Sequence, residues 1–226
     1  MLHIADHQFE TAATPPVLAD DELHLWLLER PAGLAPRAMS AFAHAELGRL
    51  LGAYAGIAQP PAVGRDPHGK PFALDAQHPH FNLSHGGARI ALAFARRHAV
   101  GVDVEAAGRQ LAPLQLATRF FAAAETRALA AIEDADALHA AFVDLWTCKE
   151  AVLKAHGRGL AFGLDRLRFE FDHSRPRALA EIAAEAGPAS EWHVARFDAG
   201  SAHAGAVAWR GDPLRVRAFH GLGTGG

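Results

Sequence analysis

This chain of 226 residues has one cysteine, Cys148, so no disulfide can close within it. A lone thiol fits a reducing compartment. No apolar run approaches the roughly 20 residues that a membrane-spanning helix needs. The N-terminal stretch MLHIADHQFETAATPPVLADDE lacks the basic start and apolar core of a secretory leader. The expected setting is cytoplasmic, with no membrane partner. Excess positive charge is also missing. The net charge is −3 and the pI about 6.6, which argues against a general nucleic-acid binder. Fifteen histidines raise the question of zinc, but they are scattered. The HPH of His78 to His80 has no cysteine or third ligand beside it, so no zinc site is expected. Lysine is scarce as well. Of 22 lysines and arginines, only Lys70, Lys149 and Lys154 are lysines.

What is there suffices for a core. Half the residues are hydrophobic, and the length suits one large domain or two small ones. Residues 1 to about 20 read as irregular. ELHLWLLE (Glu22 to Glu29) alternates in part, as a strand does. The Ala- and Leu-rich stretch from Arg37 to Tyr54 reads as a helix. A Pro- and Gly-rich stretch (58–80) reads as loop. FNLS, ARIALAFA and AVGVDVE then read as strands, ending a first half near Glu105. After AAGRQLAP come two helical stretches, LAPLQLATRFFAAAETRALAAIE and ALHAAFVDLWTCKEAVLKAHG, the latter stopped by Gly157. DRLRFEF, EWHVARFD, AHAGAVAWRG and LRVRAFH read as strands, and GLGTGG as a disordered tail. The expectation is an α+β fold in two similar halves, 1–105 and 106–226. Each would be a helix packed on a small antiparallel sheet.

Four segments carry candidate chemistry. In HAVGVDVE, Val100, Val102 and Val104 share one strand face, and Gly101, Asp103 and Glu105 the other. Two carboxylates on one face repel. A solvent-facing edge tolerates that, and a bound Mg²⁺ would give it a purpose. In LWTCKEAVLKAHGRG, Glu150 shares a helix side with Trp146 and Leu153, which partly desolvates it. Lys154 follows Glu150 by four residues, the order of an ordinary surface pair. GKPF (Gly69 to Phe72) presents Lys70 on a turn. In FNLSHGG, Ser84 and His85 point to opposite sides and cannot form a catalytic pair with each other. They and the glycines after them can offer donors to a phosphate. All three lysines fall inside these segments, and a chain that otherwise uses arginine keeps a compact ammonium there.

Taken in order, GKP, FNLSH, VGVDVE, RFFAAAE and WTCKEAVLK resemble the Sfp-type 4′-phosphopantetheinyl transferases, from about Arg65 to Phe171. The resemblance implies a fold with its active site at the junction of the two halves. It implies transfer of the 4′-phosphopantetheine arm of coenzyme A to a serine of an apo acyl, polyketide or peptidyl carrier protein, releasing 3′,5′-ADP. Asp103, Glu105 and Glu150 fall on the family's Mg²⁺ ligands, with Mn²⁺ as an alternative ion. Lys70, Ser84, His85, Lys149 and Lys154 fall on coenzyme A contacts. Glu150 is the expected general base, and Lys154 stabilises or protonates the leaving phosphate. The family's basic N-terminal grip on adenosine looks shortened here: His44 stands where arginine is common, leaving Arg37 as the candidate, and Gly86 stands where a second serine is common. Arg109 and Arg119, with Leu111, Leu114 and Phe120, are the expected dock for an acidic carrier, unless Leu114 and Phe120 are core. A monomer is implied, because one chain supplies both halves. A metal-dependent phosphohydrolase and a degenerate coenzyme A-binding module remain the competing readings. The chain is not itself a carrier, since GLDRL (Gly163 to Leu167) has no serine to accept the arm.

Overall fold

A computed structural model describes residues 1–57, 59–75, 77–108 and 111–221. The strands are, in chain order, Leu2–Ile4 (β1), Phe9–Ala12 (β2), Glu22–Glu29 (β3), Val63–Arg65 (β4), Pro71–Ala73 (β5), His80–Gly86 (β6), Arg89–Ala95 (β7), Val100–Ala106 (β8), Leu167–Asp172 (β9), Arg175–Ile182 (β10), Trp192–Asp198 (β11), His203–Arg210 (β12) and Arg215–Gly221 (β13). The α-helices are Met39–Ala55 (α1), Pro113–Phe120 (α2), Ala123–Ala130 (α3) and Ala135–His156 (α4). Among the described residues no helix is long and apolar enough to cross a membrane. Of the tail GLGTGG expected to be disordered, Gly221 is instead the last residue of β13, and residues 222–226 lie outside the described ones.

The α+β class holds, but the sheets do not follow the division at residue 105. A five-stranded sheet runs β2-β13-β3-β7-β6, and a four-stranded one β1-β11-β12-β8. The C-terminal β13 therefore sits inside the sheet of the first half. In turn β1 and β8 complete the sheet of the second. Nor are the sheets purely antiparallel, because β13 runs parallel to β2 and β3, and β1 parallel to β11. Long crossovers make such parallel pairing, and no short-range pattern announces it. The N-terminal residues expected to be irregular supply β1 and β2, which need these distant partners to be strands at all.

Periodicity explains the layering. Leu23, Leu25 and Leu27 of β3 point into a core shared with Val100, Val102 and Val104 of β8. Trp26 and Leu28, on the other face of β3, pack against Met39, Ala43, Leu47 and Leu50 of α1. Beneath α4, Ala206 and Ala208 of β12 join Leu145, Cys148 and Val152. The order is thus helix, sheet, sheet, helix. Gly157 ends α4 at φ 94°, with its N–H donated to Leu153 O at 3.0 Å. The preceding helical stretch is broken in two: Phe121 is extended and buried, stacked on Phe142 at 5.3 Å between ring centroids. Burial of one aromatic ring overrides a local helix preference there. Arg175–Ile182, which holds Pro176, pairs with β9 through register shifts and was not expected as a strand.

Two glycines set how closely the elements of the site approach. A Cβ at Gly101 would lie 2.1 Å from Ala151 O and 2.3 Å from Ala155 N, both backbone atoms of α4. A Cβ at Gly86 would lie 2.4 Å from Val104 O. At Gly108 nothing lies within 4 Å. Gly101→Ala should therefore cost about 3 kcal/mol or more, the upper end for overpacking, because helix backbone must move. Gly108→Ala should stay within about 0.5 kcal/mol. Urea unfolding of the two variants checks this.

Candidate active site

The outward face of β8 meets α4 and β6. Asp103 is 3% exposed. Its Oδ1 accepts from Lys154 Nζ at 2.6 Å and from Ser84 Oγ at 2.8 Å, while Lys154 Nζ also donates to Ser84 Oγ at 2.9 Å. These three groups form a closed triangle drawn from β8, α4 and β6. The other oxygen, Asp103 Oδ2, is buried and has no hydrogen-bond partner among the described residues. Such an orphaned acceptor is costly unless something else fills it.

Glu150, on the β8 side of α4, is 9% exposed. Burial pushes its carboxyl up to about 7, the negative charges of Asp103 and Glu105 push the same way, and Lys154 opposes them. The repulsion foreseen between two carboxylates thus involves three. Glu105 is half-buried and lines an apolar recess with Leu111, Leu116, Phe142 and Trp146.

The donor chemistry fits a hard cation. Among the described residues, no three acidic, imidazole or thiol side chains are already gathered at ligating spacing. A closed protein cage is therefore not what these residues build. Mg²⁺ typically takes one or two carboxylates and leaves its other positions to water and phosphate. The unpartnered Asp103 Oδ2, with Glu150 near enough for their charges to interact, suits that mode.

The structure does not bring every expected residue here. Lys149 is 0% exposed and faces the opposite core. Its ammonium pairs with Glu125 Oε2 at 2.7 Å and donates to Leu164 O at 2.7 Å and Leu167 O at 2.5 Å. All three protons are committed, so Lys149 has none for coenzyme A, and that expectation is corrected. The reason is helical phase: successive residues on a helix diverge by about 100°, so Lys149 and Glu150 cannot share a face. Burial pushes the Glu125 carboxyl up and the Lys149 ammonium down, with their mutual attraction opposing both. Glu125, the last residue of RFFAAAE, was expected only as part of a motif. It also accepts from the N–H of Phe169 and of Ala122.

Lys70 donates to Val100 O and Ala155 O, each at 3.1 Å. It thereby ties the GKP turn to the start of β8 and to the carbonyl-rich end of α4. Burial pulls its ammonium down to about 8, with Asp66 opposing. It also lines a cavity of about 520 Å³ with His80, Arg96 and His156. His85 is exposed on β6, next to Ser84 but on the other strand face. Arg37 is exposed in the turn before α1, and among the described residues no hydrogen bond or ion pair links it to the cluster. His44 is also exposed, and among the described residues its hydrogen bond is to its own helix, at Ser40 O. Asn82, which had not been singled out, accepts from the N–H of Val102 at 2.9 Å. An amide between the apolar Phe81 and Leu83 was the available signal. Arg109 lies outside the described residues. Arg119 is exposed and stacks over Phe120, while Leu114 is 38% exposed rather than core.

With the strand–helix pair of acids in view, family comparison is decisive. Residues 99–208, which include β8 and α4, match the family model of the 4′-phosphopantetheinyl transferase superfamily, and the chain belongs to that superfamily. It is similar to 4′-phosphopantetheinyl transferase HetI of Nostoc sp., at 31% identity over 65% of this chain and 74% of HetI. It is also similar to 4′-phosphopantetheinyl transferase Sfp of Bacillus subtilis, at 37% identity over 43% of this chain and 42% of Sfp. The psf-1 protein of Bacillus pumilus matches at 37% identity over 43% of this chain and 40% of psf-1. The matched segment thus spans about two fifths of the length of the last two relatives.

Two tests follow. Lys149→Met leaves Glu125 buried without its cation and should cost about 3–5 kcal/mol in urea unfolding. Lys70 has its folded pKa below that of the unfolded chain, so the unfolded chain holds the extra proton between about pH 8 and 10.5. Its contribution therefore makes stability rise with pH across that window. Urea midpoints at pH 8 and pH 10 should rise more in the unaltered chain than in Lys70→Met.

Proposed function

We propose that this chain transfers the 4′-phosphopantetheine arm of coenzyme A to a serine of an apo carrier protein, with Mg²⁺ or Mn²⁺, releasing 3′,5′-ADP. The observation that carries this reading is the Asp103–Ser84–Lys154 cluster with its open carboxylate oxygen, faced by Glu150. Asp103, Glu105 and Glu150 are the candidate metal-holding set. When bound there, the cation would neutralise pyrophosphate charge and orient it.

The chain's own groups divide the remaining work. Asp103 Oδ1 already accepts from Lys154 and Ser84. Glu150, whose carboxyl burial raises to about 7, takes the proton of the carrier serine in this reading, directly or through one water. The serine oxygen bonds to the phosphorus that carries pantetheine. The bond from that phosphorus to the bridging oxygen breaks, and 3′,5′-ADP keeps the electron pair. Lys154, part-exposed beside Asp103, supplies positive charge or a proton to that leaving phosphate. Lys70, Ser84, His85 and Lys154 remain candidate coenzyme A contacts, with Arg37 at the adenosine end. The recess beside Glu105 gives an apolar wall, which would exclude water from the reacting hydroxyl. One chain supplies both sides of the cleft, so the proposal takes a monomer. Arg119 and the exposed Leu114 are the proposed dock for an acidic acyl, polyketide or peptidyl carrier.

Intact mass spectrometry tests the reaction. Apo carrier incubated with the protein, coenzyme A and Mg²⁺ should gain one phosphopantetheine arm. Unmodified carrier with consumed coenzyme A would indicate a phosphohydrolase instead, and no change in either a binding module. Glu150→Gln should abolish turnover while coenzyme A still binds, and near-normal turnover would remove Glu150 from the base role. Arg119→Glu should raise the KM for carrier with kcat little changed.

A further inference from the structure

A second polar network lies far from Asp103, under α1. The two-residue strand period puts Glu22, His24 and Trp26 on one face of β3, the face that α1 covers. His24 is 0% exposed and Glu22 3%. Trp26 Nε1 donates to the Tyr54 hydroxyl at 2.9 Å, near the C-terminal end of α1. His24 Nδ1 lies 2.8 Å from the same hydroxyl, and His24 Nε2 lies 3.1 Å from Glu22 Oε2. Glu22 also pairs with Arg215 and accepts the N–H of Ala19. An indole N–H only donates and an ionised carboxylate only accepts, so the two ends fix every proton between them. His24 Nε2 carries a proton and gives it to Glu22. The Tyr54 hydroxyl accepts from Trp26 and gives its one proton to His24 Nδ1. A neutral His24 protonated on Nε2 is thus the form that completes the chain.

We propose that Glu22, His24 and Tyr54 form a pH-sensitive latch holding the C-terminal end of α1 on β3, released when His24 takes up a proton. The latch does not depend on the transfer reaction. A second proton would sit on Nδ1 and point at the Tyr54 hydroxyl, whose own proton points back. The hydroxyl would have to turn away, into surroundings that include Phe94 at 4.9 Å between ring centroids, and an unpaired donor there is costly. The neighbouring charges do not offset this. Arg217 stands opposite His24 on β13 and is paired with Glu10 of β2 at 2.8 Å. Arg215 of β13 is engaged by Glu22. On β7, Phe94 is the residue opposite His24, and Phe219 meets the ring edge-on at 5.0 Å. Burial therefore holds the His24 imidazolium below its ordinary 6.5, with Glu22 opposing and Arg217 adding to the effect. The released form takes up the proton near 6.5 and the latched form does not. Release is therefore favoured as pH falls below 6.5, by up to about 10-fold per pH unit.

Nitrogen-15 spectra of the histidine rings and amide hydrogen exchange test the latch. At pH 7.5, His24 should show a protonated Nε2 and a bare Nδ1. Opening of the α1 amides at residues 50–55, corrected for intrinsic exchange rates, should rise about 10-fold between pH 7.5 and pH 5.5. His24→Gln can still accept from Tyr54 and donate to Glu22 but does not titrate, so its rise should stay under about 3-fold. A proton on Nδ1 at pH 7.5 overturns the proposal. So does the absence of a rise in the unaltered protein, or a rise in His24→Gln equal to it. Tyr54→Phe removes the hydroxyl that keeps the second proton off His24, and carries the comparison if His24→Gln does not fold. Its His24 should titrate closer to 6.5, and an unchanged titration there overturns the proposal.

Discussion

The site depends on one contact, the seating of α4 on β8 at Gly101. A strand residue with any side chain would hold the helix off, because the helix backbone already occupies the place of its Cβ. With hydrogen there, Asp103 on the strand and Lys154 on the helix come within 2.6 Å. Glu150 is carried to the same seam. On the far face of β8, Val100, Val102 and Val104 are sealed into the core between the sheets. The strand therefore cannot slip by one residue without placing two carboxylates in hydrocarbon. Packing on one face thus fixes the register of the chemistry on the other. Lys70 reinforces the seam at its end, bridging the first carbonyl of β8 and the last turn of α4.

The arrangement stores electrostatic tension. Three carboxylates face one lysine in a poorly solvated cleft, and Glu150 rises to about 7 chiefly because it is buried, with both neighbouring acids adding to the effect. Partly satisfied polar networks are costly in such surroundings. The same helix shows the contrast one residue earlier. Lys149 and Glu125 are buried too, yet each finds further hydrogen-bond partners and the pair is closed. One face of α4 thus holds a completed ion pair that secures the second half. The other holds an incomplete one, with an oxygen left open.

Short-range pattern made much of this visible. ELHLWLLE, the VGVDVE strand and the stop at Gly157 follow from alternation and glycine chemistry. The same-face relation of Asp103 and Glu105 follows from the two-residue strand period. Other features arise from distance. Nothing local in LRVRAFH says that it inserts between β2 and β3, or that residues 2–4 find a partner near residue 195. The break at Phe121 has no proline or glycine to mark it. Lys149 stood in the same motif as Lys154, and only helical phase, applied residue by residue, separates them. The triangle on Ser84 needed three dimensions, because its members lie 19 and 70 residues apart.

The central claim is that acids from β8 and α4 share one cation beside coenzyme A. Anomalous diffraction from crystals soaked in Mn²⁺ and coenzyme A tests it most directly. An anomalous peak is expected beside the carboxylates of Asp103, Glu105 and Glu150, next to the bound coenzyme A. A filled coenzyme A site with no peak there, or with its peak away from these carboxylates, would contradict it.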